Sequence, residues 1–416
     1  MGKTSTELYN ERLKRVQDTV ALKKPDRVPF VPFMSFFPAN YCGISCEDYM
    51  YDLDKEYTTT KKTILDFEPD MYSNPFPLFG IGAIIETLDF KQMKWPGHGV
   101  SPTVTYQFVE GEYMKAEEYD SFLSDPSDFL LRTYLPRTYG ALKPLTMLPS
   151  LFRSYYTRIA RNIVVLATPE FRGAIENLLK ASDQAQLMAI KTTEFAKEMQ
   201  ELGFPPMFGG TCNAPFDHVG DFFRGTKGIM LDMYRKPKQL LQLIEKITPT
   251  LIQATIADAR RTKTPFIFIP LHKGLDGFMS LEQFNTFYWP SLREVIVELI
   301  NAGLIPMPLW EGDCTSRLEI IKDIPAGKAI YWFERTDMFK AKKALGDHIC
   351  IRGNVPPSLF NSGTPDDIKD YSKKLIDIVG KGGGFIMDGA IGIPDEARPE
   401  NVRAWADFTK EYGVYH

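Results

Sequence analysis

The chain has only five cysteines in 416 residues, an odd number, and no CxxC pair among them. No disulfide framework is expected, and a reducing, cytoplasmic setting fits this usage. No stretch reaches the roughly 18 consecutive apolar residues of a membrane-spanning helix, so no membrane partner is expected. The opening MGKTSTELYNERLKRVQDTVALKK is charged and helical in pattern, without the apolar core of a secretion signal. Its initial Met-Gly does not by itself make an acylation signal. Basic blocks are also missing and the net charge is −4, which argues against nucleic acid as a partner. Neither an internal repeat nor a low-complexity tract is visible.

What the chain does have is core-forming material, 44% hydrophobic and 13% aromatic. Eight short apolar runs, bounded by turn residues, read as buried parallel strands. They are VPFVPF (28–33), MYSNPF (71–76), PPMFGG (205–210), PFIFIPL (265–271), LIPMPLW (304–310), KAIYWF (328–333), HICIRG (348–353) and GFIMDG (384–389). Helix-like segments lie between most of them, such as 236–262, and 280–303 with Gly303 as a stop signal. Eight strands alternating with helices predict an α/β fold, a (β/α)8 TIM barrel.

One interval is too long for a simple crossover. Within it, 103–116 predicts a β-hairpin turning near Gly111, and 181–203 predicts the helix leading into the third strand. The expectation is a single barrel domain spanning 1–416, with 77–180 an insertion between strands 2 and 3.

In this architecture chemistry sits at the C-terminal ends of the strands. Those ends carry Ser73 and Asn74, then Cys212, Asn213, Asp217 and His218, then His272 and Lys273. Further on come Glu311, Asp313 and Cys314, then Glu334, Arg335 and Asp337, and finally Arg352, Asn354 and Asp388. Any one of them alone reads as a solvated or capping residue. As a set, His272, Glu311 and Glu334 follow three successive strands and form a plausible metal group with room for substrate. Trp310 and Trp332 are more often packing, yet two aromatics here could flank a flat substrate. The GKGGG run (380–384) enters a strand and reads as a tight turn rather than a phosphate loop. Cys350 and His348 read as structural.

Three blocks resemble the uroporphyrinogen decarboxylase superfamily: PDRVPFVPF, LGDHICIRGNVPPSLFNSGTPDDIKDYSKKLID and GKGGGFIMDGAIGIPDEARPENVRAW. The resemblance runs from about residue 24 to the C-terminus and implies the same barrel. The decarboxylases carry an arginine-rich segment after the first strand that grips the acidic arms of a porphyrinogen. FMSFFPANY stands there in this chain, with no arginine. The other branch of the superfamily holds corrinoid-dependent methyltransferases, including O-demethylases. Many of these bind zinc through a His-x-Cys pair after strand five and a Cys after strand eight. Here Glu311-Gly312-Asp313 and Ala390 occupy those places, which leaves an oxygen- and nitrogen-ligated site.

The resemblance therefore implies methyl transfer from a small methoxylated, aromatic substrate to the cobalamin of a partner corrinoid protein. Glu311, His272 and Asp313 are the expected catalytic groups, and His272, Glu311 and Glu334 the expected zinc ligands. Asn74, Asn213, Trp310, Trp332 and Asp388 are expected against substrate. Two alternatives stand beside this reading. One is a decarboxylase of another substrate; the other is a non-catalytic corrinoid- or tetrapyrrole-binding protein. A homodimer remains compatible with all three.

Overall fold

A computed structural model describes residues 2–416. Six parallel strands lie in sequence order: Gly210–Thr211, Phe266–Leu271, Ile305–Trp310, Ile330–Phe333, Cys350–Arg352 and Phe385–Ile386. Two further segments complete the circuit through single bridges, Phe30 to Met387 and Tyr72 to Pro206, both parallel. The Asp70 amide donates to Phe30 O at 2.7 Å, and the Gly209 amide to Phe266 O at 2.8 Å. Main-chain hydrogen bonds thus link eight segments in the order a (β/α)8 barrel requires.

Proline explains why some of these runs are bridged rather than laddered. Pro29 and Pro32 in the first segment, and Pro205 and Pro206 in the third, supply no N–H to a neighbour. The same effect is visible on the fifth strand. Six residue pairs join Phe266–Leu271 to Ile305–Trp310, yet only Leu309↔Trp332 and Trp310↔Phe333 join Ile305–Trp310 to Ile330–Phe333. Alternate residues of a parallel strand bond to opposite neighbours, and Pro306 and Pro308 fall on the poorer side.

Strand alternation sorts the side chains. Val31, Met71, Met207, Phe266, Met307, Ile330, Cys350 and Ile386 form one buried cluster, the lower interior of the barrel. Their neighbours Ile267, Ile269, Leu271, Trp310, Tyr331, Phe333 and Ile351 belong to a larger cluster shared with the surrounding helices. That outer layer contains most of the buried apolar surface, the main source of stability.

The long interval differs in detail from the sequence reading. Gln107–Phe108 does not turn back on itself at Gly111. It pairs antiparallel with Met93–Lys94, in a small sheet completed by Gly99–Val100. The reason lies beyond the strand. Glu110 accepts from the Thr226 amide at 3.3 Å, Glu112 from Arg224 at 2.8 Å, and the Met114 amide donates to Phe223 O. These contacts draw 110–114 toward the barrel, so no second hairpin arm forms. The helix expected at 181–203 is Pro169–Glu201, starting earlier because Thr168 caps it and Pro169 fits its first turn.

No helix among the described residues is long and apolar enough to cross a membrane.

Candidate active site

After Gly210–Thr211 the chain enters a helical turn, Pro215–His218, which continues as a wider π-helical turn, Val219–Arg224. Wider turns of this kind re-aim side chains and recur at functional sites. Here Asp217 and Asp221 are four residues apart and face the next strand end. Asp217 is fully buried and accepts three hydrogen bonds: from the His272 amide (2.9 Å), the Lys273 amide (3.0 Å) and the Tyr288 hydroxyl (2.6 Å). It therefore clamps the backbone at the exit of Phe266–Leu271. Burial raises its pKa, and the Asp221 charge adds to the effect.

Asp221 holds the side chains that this clamp presents. Its Oδ2 lies 2.6 Å from His272 Nδ1, and its Oδ1 accepts from Lys273. Burial alone would push its pKa up, but the bonds to His272 and Lys273 prevail and hold it below the ordinary value. On the other side of the ring, His272 Nε2 stands 3.5 Å from Glu311 Oε1. The result is a line of carboxylate, imidazole and carboxyl across three strand ends.

The two ends of the line titrate differently. Burial opposes charge on His272, yet Asp221, Asp217 and Glu311 outweigh it and raise the imidazole to about 9. Glu311 is raised to about 7 by burial, with Glu334 adding to the rise and His272 opposing it. At neutral pH the line holds an ionised Asp221, an imidazolium and a carboxyl poised to give up a proton.

Gly312 makes the turn after Glu311 possible. Its φ is +78°, and a Cβ there would sit 3.0 Å from Leu275 Cβ. Beyond it the chain leaves the site. Asp313 is exposed and accepts from the Thr315 amide at 2.8 Å, so it caps the following turn instead of joining Glu311. Cys314 is buried, and burial pushes its thiol up to about 12.

Other expected site residues are dispersed by strand alternation. Trp310 points outward, against Trp289 and Tyr331, and is packing rather than a substrate wall. Trp332 points inward. Its ring lies 5.9 Å from Phe33 and 6.2 Å from Phe268, and together with Phe208 these rings line the barrel below Glu311. Asp388 is fully buried beside them. It takes Nε of Arg352 at 2.9 Å and the amides of Phe33 (3.2 Å) and Gly389 (2.7 Å). That leaves it a structural anchor beside the aromatic floor, with the Arg352 guanidinium 4.0 Å from the Trp332 ring centre. Asn74 donates to Thr192 O at 3.3 Å, and its buried Oδ1 has no partner among the described residues. Asn213 is half-buried at the exit of Gly210–Thr211.

Of the expected metal group, His272 and Glu311 meet at 3.5 Å. Both imidazole nitrogens of His272 already face carboxyl groups, and Glu334 Oε2 accepts the Gly312 amide. No cluster of three histidine, cysteine, aspartate or glutamate side chains suited to a metal exists among the described residues. Sequence reasoning gave no role to Asp217 and missed Asp221 and Tyr288. The D-x-x-x-D spacing of Asp217 and Asp221 on a helix after strand three was the signal that could have found the first two.

The long interval also borders the mouth. Tyr106 packs 6.2 Å from Phe36, and Glu110 Oε1 lies 3.8 Å from Lys273 Nζ. Burial raises Tyr106, and the charge of Glu311 adds to it.

Comparison with known proteins agrees with this architecture. Residues 174–412 match the family described as Uroporphyrinogen decarboxylase (URO-D). Uroporphyrinogen decarboxylases of Chlorobium phaeobacteroides and Chlorobaculum tepidum are each 26% identical, over 200 and 190 residues respectively. Each alignment covers 44% of this chain and 52% of the relative, so the chain spans about half the length of the curated relatives it matches. Among solved structures, a methyltransferase from Methanosarcina mazei superposes over 99% of both chains with a TM-score of 0.64, at 13% identity. The eight-segment barrel and a family match over more than half of its length agree: the chain belongs to the uroporphyrinogen decarboxylase family.

Proposed function

We propose that the chain is the substrate-specific methyltransferase of a corrinoid-dependent demethylation system. The observation that carries this reading is the Asp221–His272–Glu311 line, which places a carboxyl with a pKa of about 7 above an aromatic-lined barrel. An aryl methyl ether needs its oxygen turned into a better leaving group, and a neutral carboxyl supplies the proton. The cob(I)alamin of a partner protein would accept the methyl group at the barrel mouth.

Each residue then has a defined task. Phe33, Phe208, Phe268 and Trp332 would hold a flat ring and keep water from it. Glu311 donates its proton to the ether oxygen as the methyl group departs. Its conjugate base then faces the imidazolium of His272, which stabilises the new charge. Asp221 keeps His272 charged and oriented, and Asp217 fixes the backbone that carries it. Every role above is carried by the chain's own side chains. The fold of the Methanosarcina methyltransferase supports the reading as a likeness of architecture.

Decarboxylation is the second reading, favoured by the names of the curated relatives. Against it stands the arginine-free FMSFFPANY exit of the first segment. The two cations at the mouth, His272 and Lys273, are also already matched by Asp221. The test is methyl transfer from a panel of methoxyarenes to a reduced corrinoid protein, followed by its absorbance change. A parallel incubation contains uroporphyrinogen. Turnover of one methoxyarene with no coproporphyrinogen is the expected result; coproporphyrinogen formation would overturn it.

A further inference from the structure

The segment before the long helix Pro169–Glu201 is unlike the rest of the surface. Between residues 129 and 169 the sequence contains six basic residues and no acidic one, in a chain whose net charge is −4. Arg132 and Arg137 are matched by Asp128 and Glu118, but Arg153, Arg158 and Arg161 are exposed and make no ion pair among the described residues. Around them large apolar side chains stand in solvent. Phe152 is 87% exposed, Tyr156 89%, Val164 66% and Leu151 63%. Tyr155, Ile159, Ile163 and Leu166 are exposed as well, and Arg158 lies 5.0 Å over the Tyr155 ring. The patch continues onto the helix through Ile175, Leu178 and Leu179, which lie on one face at three- and four-residue spacing. Beneath it, Leu142, Leu145 and Phe171 form a small buried cluster that ties the segment to the body.

An exposed apolar surface of this extent marks an interaction site. Its charge selects the occupant. A second copy meeting it across a two-fold axis would bring unpaired arginines against unpaired arginines. A negatively charged partner would not. Residues 147–169 expose aromatic rings, aliphatic side chains and arginines without an acid. Glu170 and Glu176 on the following helix are outnumbered by Arg153, Arg158, Arg161 and Arg172, and this net-basic, apolar surface matches the boundary between lipid headgroups and acyl chains. We propose that residues 147–179 seat the protein on an anionic lipid bilayer as a peripheral attachment. The apolar side chains enter the headgroup boundary, and Arg153, Arg158 and Arg161 meet lipid phosphates. No helix needs to cross, and none can. The attachment is independent of which reaction the barrel performs.

The test uses the full chain and two sets of vesicles, phosphatidylcholine alone and an equal mixture with phosphatidylglycerol. Sedimentation at low salt should carry the protein down with the mixed vesicles only, and added salt should release it. Combined Arg153→Gln, Arg158→Gln and Arg161→Gln should weaken binding about a hundredfold, from roughly fivefold per cation at an anionic surface. Combined Phe152→Ser, Tyr156→Asn and Val164→Ser should abolish it. These side chains are exposed, so both variants should melt with the parent, and melting curves verify this. Failure of the parent to sediment with mixed vesicles would overturn the proposal. So would binding that neither variant weakens. Self-association lost in the apolar variant, without vesicle binding, would assign the patch to a second copy instead.

Discussion

His272 stands between two carboxyl groups whose pKa values are shifted in opposite directions. Its Nδ1 is 2.6 Å from Asp221, whose pKa is lowered, and its Nε2 is 3.5 Å from Glu311, raised to about 7. A carboxyl raised to about 7 beside a charged imidazole suits general acid catalysis at the mouth.

Glu311→Gln tests that role. The amide keeps shape and removes the proton. Loss of general acid help costs about 10²–10⁴-fold in rate. Methyl transfer to corrinoid should fall by that factor with an unchanged melting temperature, because Glu311 lies at the rim. Near-normal turnover would reduce Glu311 to a solvated strand-end residue.

The pH profile follows from the same group. Glu311 must be protonated to act, so kcat should decline as pH rises through about 7. Stability moves the same way. His272 is raised from 6.5 to about 9, so its contribution is full below 6.5 and is lost as pH rises through about 9. Chemical denaturation across this range should show a falling stability that His272→Gln flattens. A parent curve rising over the same window would contradict the assignment.

Asp388→Asn should damage folding more than catalysis. Arg352 and Asp388 are both fully buried, and the substitution leaves an uncompensated guanidinium inside the barrel. Breaking such a pair from one side costs about 3–5 kcal/mol. Urea denaturation should show that loss.

Gly312→Ala tests the turn that aims Glu311. Adopting φ near +78° costs an L-residue roughly 1–2 kcal/mol, and contact with Leu275 adds to it. Stability should drop by at least that amount. Turnover should fall too, since Glu311 and Gly312 share a peptide bond; an alanine variant with parental stability would show that the turn is unstrained.

The aromatic floor separates two tryptophans that lie close in space. Trp332→Leu should raise KM for an aryl substrate, while Trp310→Leu should lower the melting temperature and leave KM alone. The reverse pattern would place the substrate outside the barrel.

The alternation of apolar runs with amphipathic segments already points to a parallel α/β fold, because a parallel strand buried on both faces must be apolar throughout and must be followed by a crossover; the bridge of Phe30 to Met387 closes it. The glycine run 380–384 was legible as a tight turn for a similar local reason. His272 and Glu311 could be picked from the sequence because both directly follow buried strands. Their partners could not. Asp221 reaches His272 across 51 residues of chain, and Glu311 reaches it across 39, so only the closing of the sheet brings the three together. Strand register then decided between neighbours of equal promise. Trp310 and Glu311 are adjacent in sequence, yet the two-residue period of a strand sends one to the helices and the other into the mouth. The sequence likewise shows a patch with no acidic residue at 129–169, but which of its apolar side chains stay uncovered depends on what the rest of the fold leaves beside them.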